Sequence, residues 1–273
     1  MNLPIYIVDA FADRPLAGNP AAVCPLETWL PVETMQAIAA EMNLSETVFF
    51  APDNDGGYGI RWFTPIREVE LIGHATLAAG FLVLTRLQRD AAQVRFRNGG
   101  DAFVVSRDGD ALSLEMPALP PRKIAPPPGL VEALGAGSGI RPERVLAAKH
   151  YLCVYREAAD VTALTPDMAA LAALPLPAAI VTAPADGIGT DAGGERFDFV
   201  SRFFAPANGV PEDPVSGVAH LCLVPYWSQR LGRQRLVGRQ WSARGGTIVC
   251  EDRGARVRLG GKAALFLEGR IAL

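Results

Sequence analysis

The chain has no excess of charge of either sign. Its 26 Lys and Arg stand against 29 Asp and Glu, a formal net charge of −3. No overall field draws in nucleic acid or an anionic membrane, and neither is an expected partner. Long apolar runs are missing as well. The most apolar stretch, LIGHATLAAGFLVL over 71–84, is shorter than the ~18 to 20 residues that cross a bilayer, and it contains His74. It reads as a buried helix. The opening MNLPIYIVDAFADR places Asp9 and Asp13 where a secretory signal needs a basic start and an unbroken apolar run, so a cytoplasmic protein is expected. Cysteine is sparse: Cys24, Cys153, Cys222 and Cys250 are widely spaced, and His74, His150 and His220 are equally dispersed. Neither a disulfide framework nor a metal site is predicted.

What is present is apolar surface, 49 % of the residues against 20 % charged, enough for packed cores and too much for disorder. At about 150 residues per domain, 273 residues suggest two. PALPPRKIAPPP over 117–128 holds six prolines, which remove backbone donors and favour extended chain. This marks a linker over 118–129 between an N-terminal domain, 1–117, and a C-terminal domain, 130–263, with a final strand over 264–273 left to cross back or not.

The flanking segments resemble one another. IRWFTP (60–65) matches SRFFAP (201–206), and GHATLAAGFLVLTRL (73–87) matches GVAHLCLVPYWSQRL (217–231), the second copy carrying three extra residues in the intervening loop. NGGDAFVVSRDGDALSL (98–114) answers RGGTIVCEDRGARVRL (244–259), and VETMQAIAAEMNLSETVFFAP (32–52) has a looser counterpart in TPDMAALAALPLPAAIVTAP (165–184). Such internal similarity predicts one architecture built twice. Each copy reads as strand, amphipathic helix, strands, a glycine turn, a long apolar helix and a hairpin. A helix apolar on nearly all sides must be enclosed. The expected fold is α+β: two duplicated domains, each a curled, mostly antiparallel sheet around one central helix, related by pseudo-two-fold symmetry with a cleft at their junction.

Gly73 and Gly217 each open a central helix. The unsatisfied N–H groups and partial positive charge of a helix start suit a carboxylate, although glycine also serves close packing. Glu46 lies where the 33–42 helix meets the next strand, a place for function or simply an exposed polar residue. His74 can touch a ligand or cap its turn. Asp213, before proline and four residues ahead of Gly217, can reach the cleft or close an Asx turn. The cluster Arg230, Arg233, Arg235, Arg239 and Arg244 reads as solvated surface beyond a helix C-terminus.

The stretches DAFADRPLAGNPAAV (9–23), MNLSETVFF (42–50), RWFTPIREVELIGHATLAA (61–79), EDPVSGVAHLCLVPYWSQRLG (212–232) and SARGG (242–246) together resemble the phenazine-biosynthesis PhzF-like isomerases over essentially the whole chain. The resemblance implies the diaminopimelate-epimerase-like fold, a homodimer, and isomerisation of a small carboxylate with no cofactor. It makes Glu46 the catalytic acid/base, moving a proton between carbons on one face, with His74 and Asp213 in the binding and proton network. Asn19, Ser45, Gly73, Ser216, Gly217 and Val218 become substrate-binding positions. Related racemases of this fold place a cysteine at each glycine turn, whereas the turns here read Ile72-Gly73-His74 and Ser216-Gly217-Val218, and Cys222 lies a turn inside its helix. The family's usual Asp-Pro-x-Thr-Gly-Ser-Ala is Asp213-Pro214-Val215-Ser216-Gly217-Val218-Ala219 here. Val218 thus removes a hydroxyl, a hydrogen bond of about 1.5–3 kcal/mol if made to a charged group, which implies a substrate different from the phenazine enzyme's. An epimerase or racemase, or a non-catalytic metabolite-binding protein, is the alternative.

Overall fold

A computed structural model describes residues 2–135, 137–190 and 193–273. The chain first forms β1 (Asn2–Ala10), β2 (Asn19–Pro25), α1 (Val32–Met42), β3 (Glu46–Pro52), β4 (Tyr58–Phe63), β5 (Glu68–Val69), α2 (Gly73–Leu82), β6 (Gln93–Asn98), β7 (Asp101–Asp108) and β8 (Ala111–Pro117). Next come β9 (Arg122–Lys123), α3 (Leu130–Gly135), β10 (Arg144–Ala147), β11 (Tyr151–Val154), α4 (Ala158–Ala163), α5 (Met168–Ala172), β12 (Ala179–Pro184) and β13 (Phe199–Phe204). It ends with α6 (Gly217–Leu231), β14 (Arg235–Gln240), β15 (Gly246–Asp252), β16 (Arg256–Gly261) and β17 (Ala263–Ala272).

Two compact units emerge. The first joins Met1–Met116 to Arg258–Leu273, and the second is Pro117–Val257. The boundaries therefore differ from those expected at 118–129 and 263. The proline-rich stretch belongs to the second unit because its non-proline residues still have donors: Leu119 N donates to Leu221 O at 2.9 Å, and β9 pairs with β10 through Lys123 and Leu146. At the other end β17 lies antiparallel to β1, from Asn2 opposite Ala272 to Ala10 opposite Ala263.

In the first unit β1 and β2 are antiparallel, β2 and β3 parallel, β3 and β4 antiparallel, β4 and β6 parallel, and β6, β7 and β8 a meander. The second unit repeats the sense of these pairings in β10, β11, β12, β13, β14 and β15. Even the register agrees with the sequence match: Thr47 faces Phe63, and Ala179 faces Phe204. The protein is α+β, with mixed sheets and few helices.

Each unit encloses one helix. In α2 every residue but Phe81 is buried; Leu77 and Leu82, fully removed from water, contribute about 1.5–3 kcal/mol each, and Ala75, Ala78 and Ala79 less. Gly80 lets this helix approach the sheet, since a Cβ there would lie 2.5 Å from Val105 Cγ1. Beyond Leu82 the helix widens into a π turn, Val83–Leu87, whose end is tied down by Arg107: Nε donates to Ala91 O at 3.1 Å and Nη2 to Leu84 O and Arg89 O. In α6, Trp227 is fully buried, stacks on Phe199 at 5.7 Å and donates Nε1–H to Thr182 Oγ1 at 3.0 Å. All four cysteines are buried free thiols. Among the described residues no helix is long and apolar enough to cross a membrane, and no three His, Cys, Asp or Glu are grouped to hold a metal ion.

Candidate active site

The first unit gathers its polar residues where β2, β3 and α2 begin. The loop leading into β2 is tightly wound, with Phe11, Leu16 and Gly18 all at positive φ. Buried Asp9 holds it by accepting the Leu16 N–H at 2.8 Å. Gly18 is required here, because a Cβ at this left-handed residue would lie 2.2 Å from Ala10 O. Asn19 follows, fully buried at the start of β2.

Helix α1 ends on Asn43, also left-handed at φ 48°. This turns the chain into Ser45, whose Oγ donates to Asn19 Oδ1 at 3.1 Å. Glu46 then opens β3 opposite Ala21 of β2. Its carboxylate is almost enclosed, and Oε2 lies 3.0 Å from Nε2 of His74, itself buried. His74 is the second residue of α2. The N-cap of that helix is Ile72, whose side chain cannot cap it, and no acidic residue lies in the first turn, so the positive end of the helix dipole favours an anion there. Thr76 stabilises the turn instead from within: Oγ1 donates to Ile72 O at 2.6 Å and accepts from buried Trp62 Nε1 at 3.1 Å. Asn19, Ser45, Glu46, Gly73 and His74 thus come from three elements of one unit.

The second unit holds Asp213, Ser216, Gly217 and Val218. Asp213 N donates to Phe203 O at 2.9 Å, which ties the residue to the end of β13, and its side chain is largely buried. Ser216 is the N-cap of α6, its Oγ accepting from Ala219 N at 3.1 Å. The two glycine turns are therefore unlike: one helix start is capped by its own serine, the other is not. Val218 is the partly exposed residue of the first α6 turn.

Sequence reasoning missed the groups that hold this loop. Gln240, fully buried at the end of β14, accepts the Ser216 N–H on Oε1 at 2.8 Å and donates Nε2–H to Asp213 O at 2.7 Å. Ser242 Oγ donates to Pro214 O at 2.8 Å. The SARGG stretch was a visible signal, but nothing in it says which loop it would hold. Arg202 forms a two-pronged pair with Glu212, at 2.8 and 3.0 Å, beside Asp213. Arg61, its sequence match, does the same with Glu68 at 2.7 and 2.6 Å. The three extra residues of the second copy are accommodated between Arg202 and Glu212, where the chain makes the short helical turn Pro206–Asn208. The arginine cluster is partly paired: Arg233 with Asp198 and Arg235 with Glu195, while Arg230 lies over Trp227.

The profile of the PhzC-PhzF family, described as phenazine biosynthesis-like protein, matches residues 8–269. A Pseudomonas aeruginosa protein named an uncharacterized isomerase is 48 % identical over the whole of both chains. The crystal structure of a PhzF-family phenazine biosynthesis protein from Enterococcus faecalis superposes with a TM-score of 0.90 at 40 % identity, covering all of both chains. More distantly, a hydroxyproline epimerase from Agrobacterium vitis with bound trans-4-hydroxy-L-proline shares the fold, with a TM-score of 0.58 at 11 % identity over 100 % of this chain and 91 % of that one. The chain belongs to the phenazine-biosynthesis-like PhzC-PhzF family, and the kind of enzyme its relatives' names support is an isomerase.

Proposed function

We propose that the protein isomerises a small carboxylate by moving one proton between carbons, without a cofactor. The buried Glu46–His74 pair at the start of α2 is the observation that carries this reading. Glu46 removes a proton from a carbon near the substrate carboxylate: the C–H bond breaks, a carboxyl O–H forms, and the electron pair spreads onto the substrate's oxygens. The α2 N-terminus is suited to that negative charge. Glu46 then returns the same proton to another carbon as the double bond shifts, so atoms and charge balance. His74, in contact with Glu46, holds the carboxyl oriented and shares its proton. Asn19, Ser45 and Gly73 bind substrate in the first unit, and Asp213, Ser216, Gly217 and Val218 are assigned to binding and proton handling in the second.

Epimerisation is the second reading, favoured by the likeness of fold to the hydroxyproline epimerase. It requires a non-thiol acid on the opposite face, since neither glycine turn carries a cysteine.

The test is incubation with small cyclic and amino-acid carboxylates in D₂O, followed by mass spectrometry beside a Glu46→Gln control. Deuterium incorporation that vanishes in Glu46→Gln is expected. Incorporation retained in that variant overturns the assignment, inverted product stereochemistry selects the epimerase, and thermal stabilisation without exchange selects a binding protein.

A further inference from the structure

His150 is a half-buried imidazole that the proposed reaction does not use. It precedes β11, on the same sheet face as Leu152, and its ring meets Phe203 edge-on at 5.3 Å. The carbonyl of that same Phe203 accepts the backbone N–H of Asp213. One residue therefore separates His150 from the loop that carries Asp213 and Ser216.

Strand register places His150 opposite a definite residue of β12's entry. Pairing Thr47 with Ala179, the residues that face Phe63 and Phe204, makes Ala178 the counterpart of Glu46. In the first unit the parallel neighbour of Glu46 is Ala21. In the second, Tyr151 faces Ala179 and Tyr151 N donates to Ala178 O at 3.1 Å, so the neighbour of Ala178 is His150. The second unit thus lacks a carboxylate where the first has Glu46 and carries an imidazole just before the adjoining strand.

The chemistry of the ring defines what it offers. Burial, with a smaller push from Lys149, lowers its pKa to about 4, so it is neutral at pH 7. Nδ1 is buried and has no hydrogen-bond partner among the described residues. Nε2 is not enclosed in this way, and in the neutral tautomer protonated there it is an uncharged donor.

We propose that His150 is a substrate-binding residue of the second unit, donating Nε2–H to an oxygen of a small carboxylate held with Asp213 and Ser216. The proposal rests on the carboxylate-isomerase reading above, and its test separates the two. Imidazole ¹⁵N resonances of the three histidines, assigned by His→Gln variants, are followed as trans-4-hydroxy-L-proline, L-proline, succinate and benzoate are added. At least one compound is expected to move the His150 signal. For that compound, His150→Phe, which keeps the contact with Phe203, should weaken binding at least about fivefold with little change in melting temperature. A His150 signal that none of the four compounds moves overturns the proposal, as does unaltered affinity in His150→Phe. Glu46-dependent deuterium exchange with a silent His150 rejects this residue alone. A His150 response without exchange supports the binding site and rejects the isomerase.

Discussion

Glu46 and His74 form one buried pair, Oε2 to Nε2 at 3.0 Å, joining the first residue of β3 to the second residue of α2. A carboxylate taken this far out of water is costly unless a neighbour hydrogen-bonds it or shares its proton. His74→Gln retains a donor of similar reach but cannot accept and release a proton. It is expected to slow Glu46-dependent exchange by roughly 10²- to 10⁴-fold, the usual contribution of an acid–base group, with substrate affinity altered much less. Equal losses in affinity and turnover would instead make His74 a simple binding group.

Gln240 ties together two backbone groups of the Asp213 loop. Gln240→Leu leaves the Ser216 N–H and the Asp213 carbonyl without this partner in a buried setting, so a loss of about 2–4 kcal/mol is expected. Gln240→Glu keeps the acceptor but sets a buried carboxylate oxygen against the Asp213 carbonyl, and should also destabilise the protein at pH 7. Urea unfolding of the three proteins measures both losses, and a Gln240→Leu protein as stable as wild type refutes the first.

His220 makes stability depend on pH. Burial pushes its imidazole down to about 4, against the favourable pull of the Ser216 carbonyl, which lies 2.7 Å from Nδ1. An unfolded histidine titrates near 6.5. Between those values the unfolded chain binds a proton that the folded chain refuses, so this stability is complete above about pH 6.5 and is lost as pH falls toward 4. At 1.36 kcal/mol per pKa unit the loss is roughly 3 kcal/mol. His150, also lowered to about 4, adds to it with the same sign. Urea midpoints from pH 7.5 to 4.5 should fall in wild type and fall about half as steeply in His220→Leu.

Two glycines with similar φ should respond differently to alanine. Gly18 at φ +63° has no room for a Cβ beside Ala10 O, whereas Gly99 at φ +56° has nothing within 4 Å. Gly99→Ala carries only the left-handed strain, about 1 kcal/mol. Gly18→Ala adds a backbone clash next to Asn19 and should cost at least about 2 kcal/mol. Similar melting temperatures for the two variants would contradict this.

The cysteines should be inert in the folded protein. Burial pushes the thiols of Cys24, Cys153 and Cys222 up to about 12 and that of Cys250 higher still, so the nucleophilic thiolate is scarce at pH 8. An aromatic disulfide reagent is expected to titrate no thiol before denaturation and four after it. Rapid native reaction of Cys222 would reopen a thiol role at the second helix.

Local pattern made much of the fold legible. The continuous apolar character of 71–84 announced an enclosed helix, the segments 98–114 and 244–259 announced hairpins, and the paired motifs announced a repeated order of elements. Glu46, His74 and Asp213 stood out only through resemblance to a family, since each had an ordinary local explanation. Gln240 gave no signal at all. An amide is informative only when its two partners are known, and those lie in a loop remote in sequence. The domain boundaries were misplaced for a related reason: proline density reports stiff backbone, while membership of a unit depends on which remaining N–H groups find partners.

The amino-acid sequence by itself determined the periodicities and the order of elements, because these depend on neighbours along the chain. Tertiary structure decided the 3.0 Å approach of Glu46 to His74, the clamp of Gln240 on the Asp213 loop and the placing of His150 behind Phe203. Strand register and helix depth set those contacts, and both are fixed only when distant segments compete for one core.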